Sequence, residues 1–408
     1  MPAYAPPITR PSNTAPRKTD RMAIHHRFRT PAAAIVTALL VLAPFLFAAC
    51  GGGSNGSSAT GTPGGSSAGP GPTVTRPPVA GDPRSVRLGF SSLPPERTSD
   101  SYIRAFATAA QYADAVLVQR TPPWEDFMPG GSVSKQTADS TRLETALVKQ
   151  YNLDLVYAID PTDGVVQRSR LANLPPSVDP QAGFKDPNVR EAFVAYAAYV
   201  AKNYQPAYMA LGVEVNMTYE RAPEQFEAYL SAYAEAYDVV KGNSPKTKVF
   251  PTFQLEDLEG TFGDVHPPRW DLIDKFRGRM DVLAISTYPF LGEAKSAADI
   301  RADYYSQLKD HWQGEIIISE TGYASAPVEG RVTVGTEADQ QAYVERLLTE
   351  ANSLGFSLVV WFAALDPAFA SSGATSVFKD IGLRKSDGSN KLAWSTWEAW
   401  AARPLANR

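Results

Sequence analysis

The stretch EIIISETGYAS (315–325) runs three isoleucines in succession into Ser319 and Glu320. Consecutive β-branched apolar residues without polar alternation mark a strand buried on both faces, the mark of a parallel sheet. Glu320 falls at the C-terminal end of that strand. Outward from it, runs of the same kind recur upstream at SVRLGF (85–90), DAVLVQ (114–119), LDLVYAI (153–159), AYMALGVEV (207–215), TKVFPTF (247–253) and DVLAIS (281–286), and downstream at LVVWFA (358–363). Helical patterns lie between them, with apolar residues at three- and four-residue spacing. Examples are VREAFVAYAAYVAKNY (189–204), PEQFEAYLSAYAEAYDVVK (223–241) and EADQQAYVERLLTEANSLG (337–355). Pro223 with Glu224 opens one of these helices and Gly355 closes another. Eight strand–helix units over about 320 residues predict an α/β fold, a (β/α)8 TIM barrel spanning residues 85–408. The alternative is an open doubly wound sheet, which would usually carry a glycine-rich phosphate turn after its first strand. Here that strand ends LGFSSLPP.

The chain has 408 residues, 44% hydrophobic and 20% charged, with a net charge of −4 and no basic patch, so nucleic acid is not an expected partner. One cysteine, Cys50, excludes an intrachain disulfide and a cysteine-based metal site. Of four histidines, only His266 and His311 lie in the expected barrel, too few for a histidine-rich centre. No metal and no cofactor are expected.

Residues 1–49 read as a bacterial lipoprotein signal peptide. Arg21, Arg27 and Arg29 precede an apolar run, PAAAIVTALLVLAPFLFAA (31–49), that stops at Cys50. LFAAC resembles a lipobox, with Phe47 where Leu is usual, and Met22 would give a more typical start than Met1. A run near 19 residues is also long enough for a membrane-spanning helix. The cysteine at its end, followed by GGGSNGSSATG, favours lipidation of Cys50 and an extracytoplasmic, lipid-anchored protein. Removing residues 1–49 leaves 33 basic and 42 acidic residues, a charge of −9. Residues 50–84 read as a flexible, disordered Gly/Ser/Pro/Thr-rich tether.

In a barrel of this kind, chemistry sits at the strand C-termini. Glu214 ends the fourth expected strand, in LGVEVNMTYE, and Glu320 ends the seventh. Those strands are nearly opposite, so the two carboxyls would face each other across the mouth. Glycoside hydrolysis needs such a pair, one protonated to assist the leaving oxygen and one ionised to attack or to activate water.

On these residues the chain resembles clan A glycoside hydrolases, the β-1,4-galactanase-like branch in particular, over residues 85–402. ISETGY resembles the family's nucleophile motif, which implies Glu320 as nucleophile. LGVEVN resembles the acid/base motif, which implies Glu214 as acid/base. AISTYPF resembles the strand carrying a tyrosine beside the nucleophile, here Tyr288, and VVWFAALDP the one whose tryptophan floors the sugar subsite, here Trp361. The family has Asn immediately before the acid/base Glu, where this chain has Val213. Asn216 lies two residues further on and is included among the substrate-binding candidates. The resemblance implies a retaining hydrolase acting on a β-linked poly- or oligosaccharide as a monomer, with carboxyl groups about 5–5.5 Å apart. Glu320 is expected ionised and Glu214 protonated at rest, with Val213 as an apolar neighbour of Glu214. The alternative is a catalytically inactive carbohydrate-binding lipoprotein on the same scaffold.

Further substrate-binding candidates come from position alone. Arg120, after the second strand, is placed to bond the nucleophile or substrate, or to serve as an ion-pair partner. Trp124 is placed to stack on a sugar or to pack its loop. Tyr323 follows the nucleophile motif. Asp160 and Asp163, in IDPTDG, read as turn chemistry. Glu256 and Glu259 read as groove-lining or solvated.

Overall fold

The computed structural model describes residues 70–164, 168–263, 265–292, 294–370 and 373–406. The apolar segment, Cys50 and the first part of the tether lie outside the described residues. Nine strands follow in chain order: β1 (Arg87–Ser91), β2 (Ala115–Arg120), β3 (Asp154–Ile159), β4 (Tyr208–Ala210), β5 (Lys248–Phe250), β6 (Thr252–Gln254), β7 (Leu283–Thr287), β8 (Ile316–Thr321) and β9 (Leu358–Trp361). The pairings are parallel, in the order β5-β4-β3-β2-β1-β9-β8-β7-β6. The two ends of that order, β5 and β6, are separated in the chain only by Pro251. Proline lacks the N–H a ladder needs, so one expected strand becomes two segments and the sheet curls into a nearly closed ring. This is the (β/α)8 barrel, with its helices outside.

The helices start where the sequence supplies side-chain acceptors for their free N–H groups. Thr98 accepts from Ser101, Ser134 from Thr137, and Thr336 from Asp339; Asp186 accepts from Asn188 and Val189 just before Pro187. Helix Glu337–Ser353 stops ahead of Gly355, whose φ of +71° favours glycine.

Two local features aim the site. β8 carries a bulge, since Ile285 pairs with Ile318 but Ser286 pairs with Glu320. The extra residue, Ser319, lets Glu320 turn into the mouth, a common use of bulges beside functional sites. At Gly212 a Cβ would lie 2.2 Å from the Tyr229 hydroxyl, which donates to the Leu211 carbonyl. Only glycine lets β4 turn there towards Glu214.

The pleat corrects one expectation at once. Trp361 is fully buried, donates Nε1–H to the Ile381 carbonyl at 3.0 Å and packs on Tyr343 and Trp397. It points outward into the helical layer, not onto a sugar. Side chains alternate along a strand, and the next residue, Phe362, turns instead towards Tyr288 and Phe378.

The tether boundary also moves. Residues 70–84 are held against the foot of the barrel, opposite the mouth. Gly71 exchanges two hydrogen bonds with the Gln150 amide, Tyr151 donates to the Pro72 carbonyl, and Ala80 N–H donates to Ala402. Arg84 clamps Asp114 with two nitrogens, at 2.7 and 3.0 Å, and reaches the Val86 and Trp400 carbonyls. Among the described residues, no helix is long and apolar enough to cross a membrane.

Candidate active site

Glu214 lies four residues beyond β4 and caps helix Val215–Arg221 with φ +50° and ψ +49°, a left-handed conformation costly for a glutamate. Its backbone N–H donates to Thr252 Oγ1 at 2.9 Å. Both carboxyl oxygens are engaged: Ser286 Oγ donates to Oε1 at 2.8 Å and Arg168 Nε donates to Oε2 at 2.8 Å. Arg168 is itself left-handed, with φ +61°, and fully buried. Its Nη1 donates to Asp160 Oδ1 at 2.7 Å and to Thr162 Oγ1 at 3.0 Å, and Gln119 Nε2 donates to Asp160 Oδ2 at 3.1 Å. Strained backbone concentrates at functional sites, and here two strained residues are bonded to each other.

Glu320 faces this cluster from β8. The hydroxyl of Tyr288 donates to its Oε1. Gly322 leaves room for this arrangement, because a Cβ there would meet Ile381 at 2.3 Å. Behind Tyr288 lies Glu256, buried and without a bonded cation. It accepts from the Tyr288 N–H, the Thr287 and Tyr304 hydroxyls and the Gln254 amide. Burial pushes the Glu256 carboxyl up to about 7 against the pull of the Tyr304 and Thr287 hydroxyls.

The electrostatics depart from the expected ionised state of Glu320. Burial first, and then the negative charge of Glu214, push the Glu320 carboxyl up to about 8; the Tyr288 hydrogen bond and Arg168 pull the other way. Glu214 has the guanidinium. Glu320 is therefore held protonated at neutral pH, where the sequence led us to expect it ionised. Nothing in VVQRSR (165–170) marks Arg168. Val213 does not supply the expected apolar contact either. It lines a narrow pocket with Leu171, Phe184 and Tyr229. Burial also holds the Asp160 carboxyl above its ordinary value despite Arg168.

Of the sequence candidates, Glu214, Glu320 and Tyr288 come together, and Asp160 joins them although it reads as a turn residue. Five others do not. Arg120 points outward between β2 and the helices, onto Glu144. Trp124 is buried and donates to the Ala172 carbonyl at 2.7 Å, so it packs its loop. Asn216 is spent on the Gln254 backbone and Asp257 and cannot replace the Asn missing at 213. Tyr323 is buried between Phe290 and Tyr343, and Trp361 belongs to the outer core. Glu259 pairs with Arg301 and Gln307. Gln119 and Ser286 went unread, although strand alternation points to both. Gln119 is one residue from Arg120 and so faces inward, and Ser286 shares a face with Tyr288.

No group of three or more His, Cys, Asp or Glu among the described residues could hold a metal ion. No protein-family model matches the chain, and no curated protein matches it. Solved structures do match. A family 5, subfamily 18 glycoside hydrolase variant from Bifidobacterium longum subsp. longum, in complex with Manβ1-4GlcNAc, is 17% identical with a TM-score of 0.56, covering 79% of this chain and 80% of that one. A variant of the same subfamily from Streptomyces cattleya, with the same disaccharide, is 17% identical with a TM-score of 0.56, covering 78% and 79%. An exo-β-1,4-mannosidase from Opitutaceae bacterium strain TAV5 is 14% identical with a TM-score of 0.57, covering 81% of this chain and 62% of that one. At these identities the likeness is one of fold, a TIM barrel.

Proposed function

We propose that this chain is an extracytoplasmic glycoside hydrolase, anchored by lipid on Cys50, that cleaves a β-linked poly- or oligosaccharide with retention. The observation that carries the reading is the pair Glu214 and Glu320, on opposite walls of the barrel mouth and linked through β7 by Ser286 and Tyr288. In the reaction, the Glu320 carboxylate attacks the anomeric carbon while Glu214 gives its proton to the departing oxygen. Glu214 then takes a proton from water, and that water hydrolyses the glycosyl ester and frees Glu320. Burial favours a proton on Glu320 at rest, so attack requires its removal first. Asp160 and Arg168 hold Glu214 in place. Two of the solved neighbours hold Manβ1-4GlcNAc and a third is an exo-β-1,4-mannosidase, so aryl β-mannosides are the first substrates to test.

The second reading, a carbohydrate-binding lipoprotein without catalysis, is favoured by one observation. The acid candidate Glu214 is held by a buried guanidinium, and no Asn precedes it. Turnover of an aryl β-glycoside panel by the Cys50→Ala chain separates the two. Hydrolysis abolished by Glu320→Ala supports the hydrolase; binding without hydrolysis selects the alternative.

A further inference from the structure

Arg120 faces a second cleft, outside the barrel. The cleft holds about 1250 Å³, open to solvent, between the loop after β2, the start of helix Lys135–Tyr151, the loop after β3 and the last turns of helix Pro187–Tyr204. Its floor is the ion pair of Arg120 with Glu144, and Glu144 also accepts from the Tyr102 and Tyr204 hydroxyls at 2.7 Å each. The Arg120 Nε–H is buried and has no acceptor. Purely structural buried pairs fill their donors, because an unpaired buried donor is costly. The wall is aromatic and hydroxylated. Tyr157 and Tyr196 share a hydrogen bond at 2.7 Å, and Tyr199 and Thr141 share one at 3.0 Å. Tyr199 and Tyr204 remain half-exposed.

We propose that this cleft is a second glycan-holding site, taking a neutral sugar of the chain whose glycosidic bond is cut at Glu214 and Glu320; it rests on the hydrolase reading for its substrate class. Charge excludes an anion, because Glu144 neutralises Arg120 and Glu125 and Asp126 stand at the rim. Flat rings beside hydroxyl and amide groups match the apolar face and hydroxyl edge of a pyranose. Placement adds to this. Gln119 bonds Asp160 inside the mouth, and its neighbour Arg120 opens on the cleft. Consecutive residues of β2 thus serve the two places, Gln119 the mouth and Arg120 the cleft.

The test is calorimetric titration of the Glu320→Gln chain with β-1,4-linked hexasaccharides of glucose, mannose, galactose and N-acetylglucosamine. Two further changes are made separately in that background. Tyr199→Ala removes part of the wall, and Ser140→Trp fills the cleft from a half-exposed helix position without deleting a contact. Each should weaken the best-bound hexasaccharide about tenfold, and in the otherwise unchanged chain each should leave kcat/KM for a short aryl glycoside the same. Affinities unchanged in both variants, or no binding of any hexasaccharide, would overturn the proposal. Binding sensitive to both variants without hydrolysis by the unmutated chain would keep the second site and reject the hydrolase.

Discussion

Replacing Arg168 by Met removes the guanidinium bonded to Glu214 and Asp160 while keeping an unbranched apolar stem. Both carboxyls are buried, at distances of 2.8 and 2.7 Å from the nitrogens they would lose. Breaking a buried pair by deleting one partner costs about 3–5 kcal/mol, because the charge left behind lacks both water and counter-ion. Surface ion pairs, at about 0–1 kcal/mol, would lose far less. The loss must also depend on pH. Burial already raises the folded-state Asp160 carboxyl above its unfolded value, with Arg168 pulling it down. Without Arg168 it rises further, so folding takes up a proton between the two values. An acid raised in the folded state contributes stability that is complete below its unfolded value and is lost as pH rises through the folded one. The penalty of Arg168→Met should therefore be largest near pH 7.5 and smaller by about 1–2 kcal/mol at pH 5. Urea unfolding of both proteins at the two pH values measures this. A penalty below about 1 kcal/mol, or one identical at both pH values, would refute the claim that this guanidinium holds the buried carboxyls in their charged arrangement.

The remaining expectations are briefer. The Glu214–Glu320 pair keeps its one proton up to about pH 8, so kcat/KM should fall above that pH. Tyr288 stabilises ionised Glu320, so Tyr288→Phe should move the fall to higher pH; an unmoved or acid-shifted limb in the pH–rate profile would contradict this. At the foot, burial tends to raise the Asp114 carboxyl, but Arg84 and the Leu88 N–H outweigh it and leave Asp114 below its ordinary value. A depressed acid stabilises above its unfolded value, so Asp114→Asn should destabilise the fold by about 3 kcal/mol at pH 7 and less near pH 3, as read by denaturant unfolding. Cys50→Ala should abolish labelling by a fatty-acid analogue, and labelling that persists would reject the lipid anchor.

The fold was legible because parallel barrel strands are apolar on both faces and announce themselves as runs such as IIIS and LVVW. TKVFPTF read as one strand, and Pro251, which cannot donate to the ladder, divides it in two. Glu214, Glu320 and Tyr288 were legible because strand ends carry the chemistry of this fold. The misplaced candidates share a cause: for Arg120 and Trp361 the strand was right but the face was wrong by one residue, and a one-residue shift moves a side chain to the opposite side of the sheet. Asp160 followed a strand and still read as a turn residue, because Asp before Pro is common turn chemistry. Arg168 could not be read at all, since its role depends on a loop conformation with positive φ, which no periodicity reports.

The central claim is that Glu320 bonds covalently to a sugar while Glu214 handles the proton. The direct measurement is intact-protein and peptide mass spectrometry after incubating the Cys50→Ala chain with 2-deoxy-2-fluoro aryl β-glycosides, mannosides first. The account predicts a mass increase of one fluorosugar, located on the peptide containing Glu320 and absent in Glu320→Gln. Hydrolysis of the parent glycosides without any adduct, an adduct on Glu214, or binding with neither adduct nor turnover would contradict it.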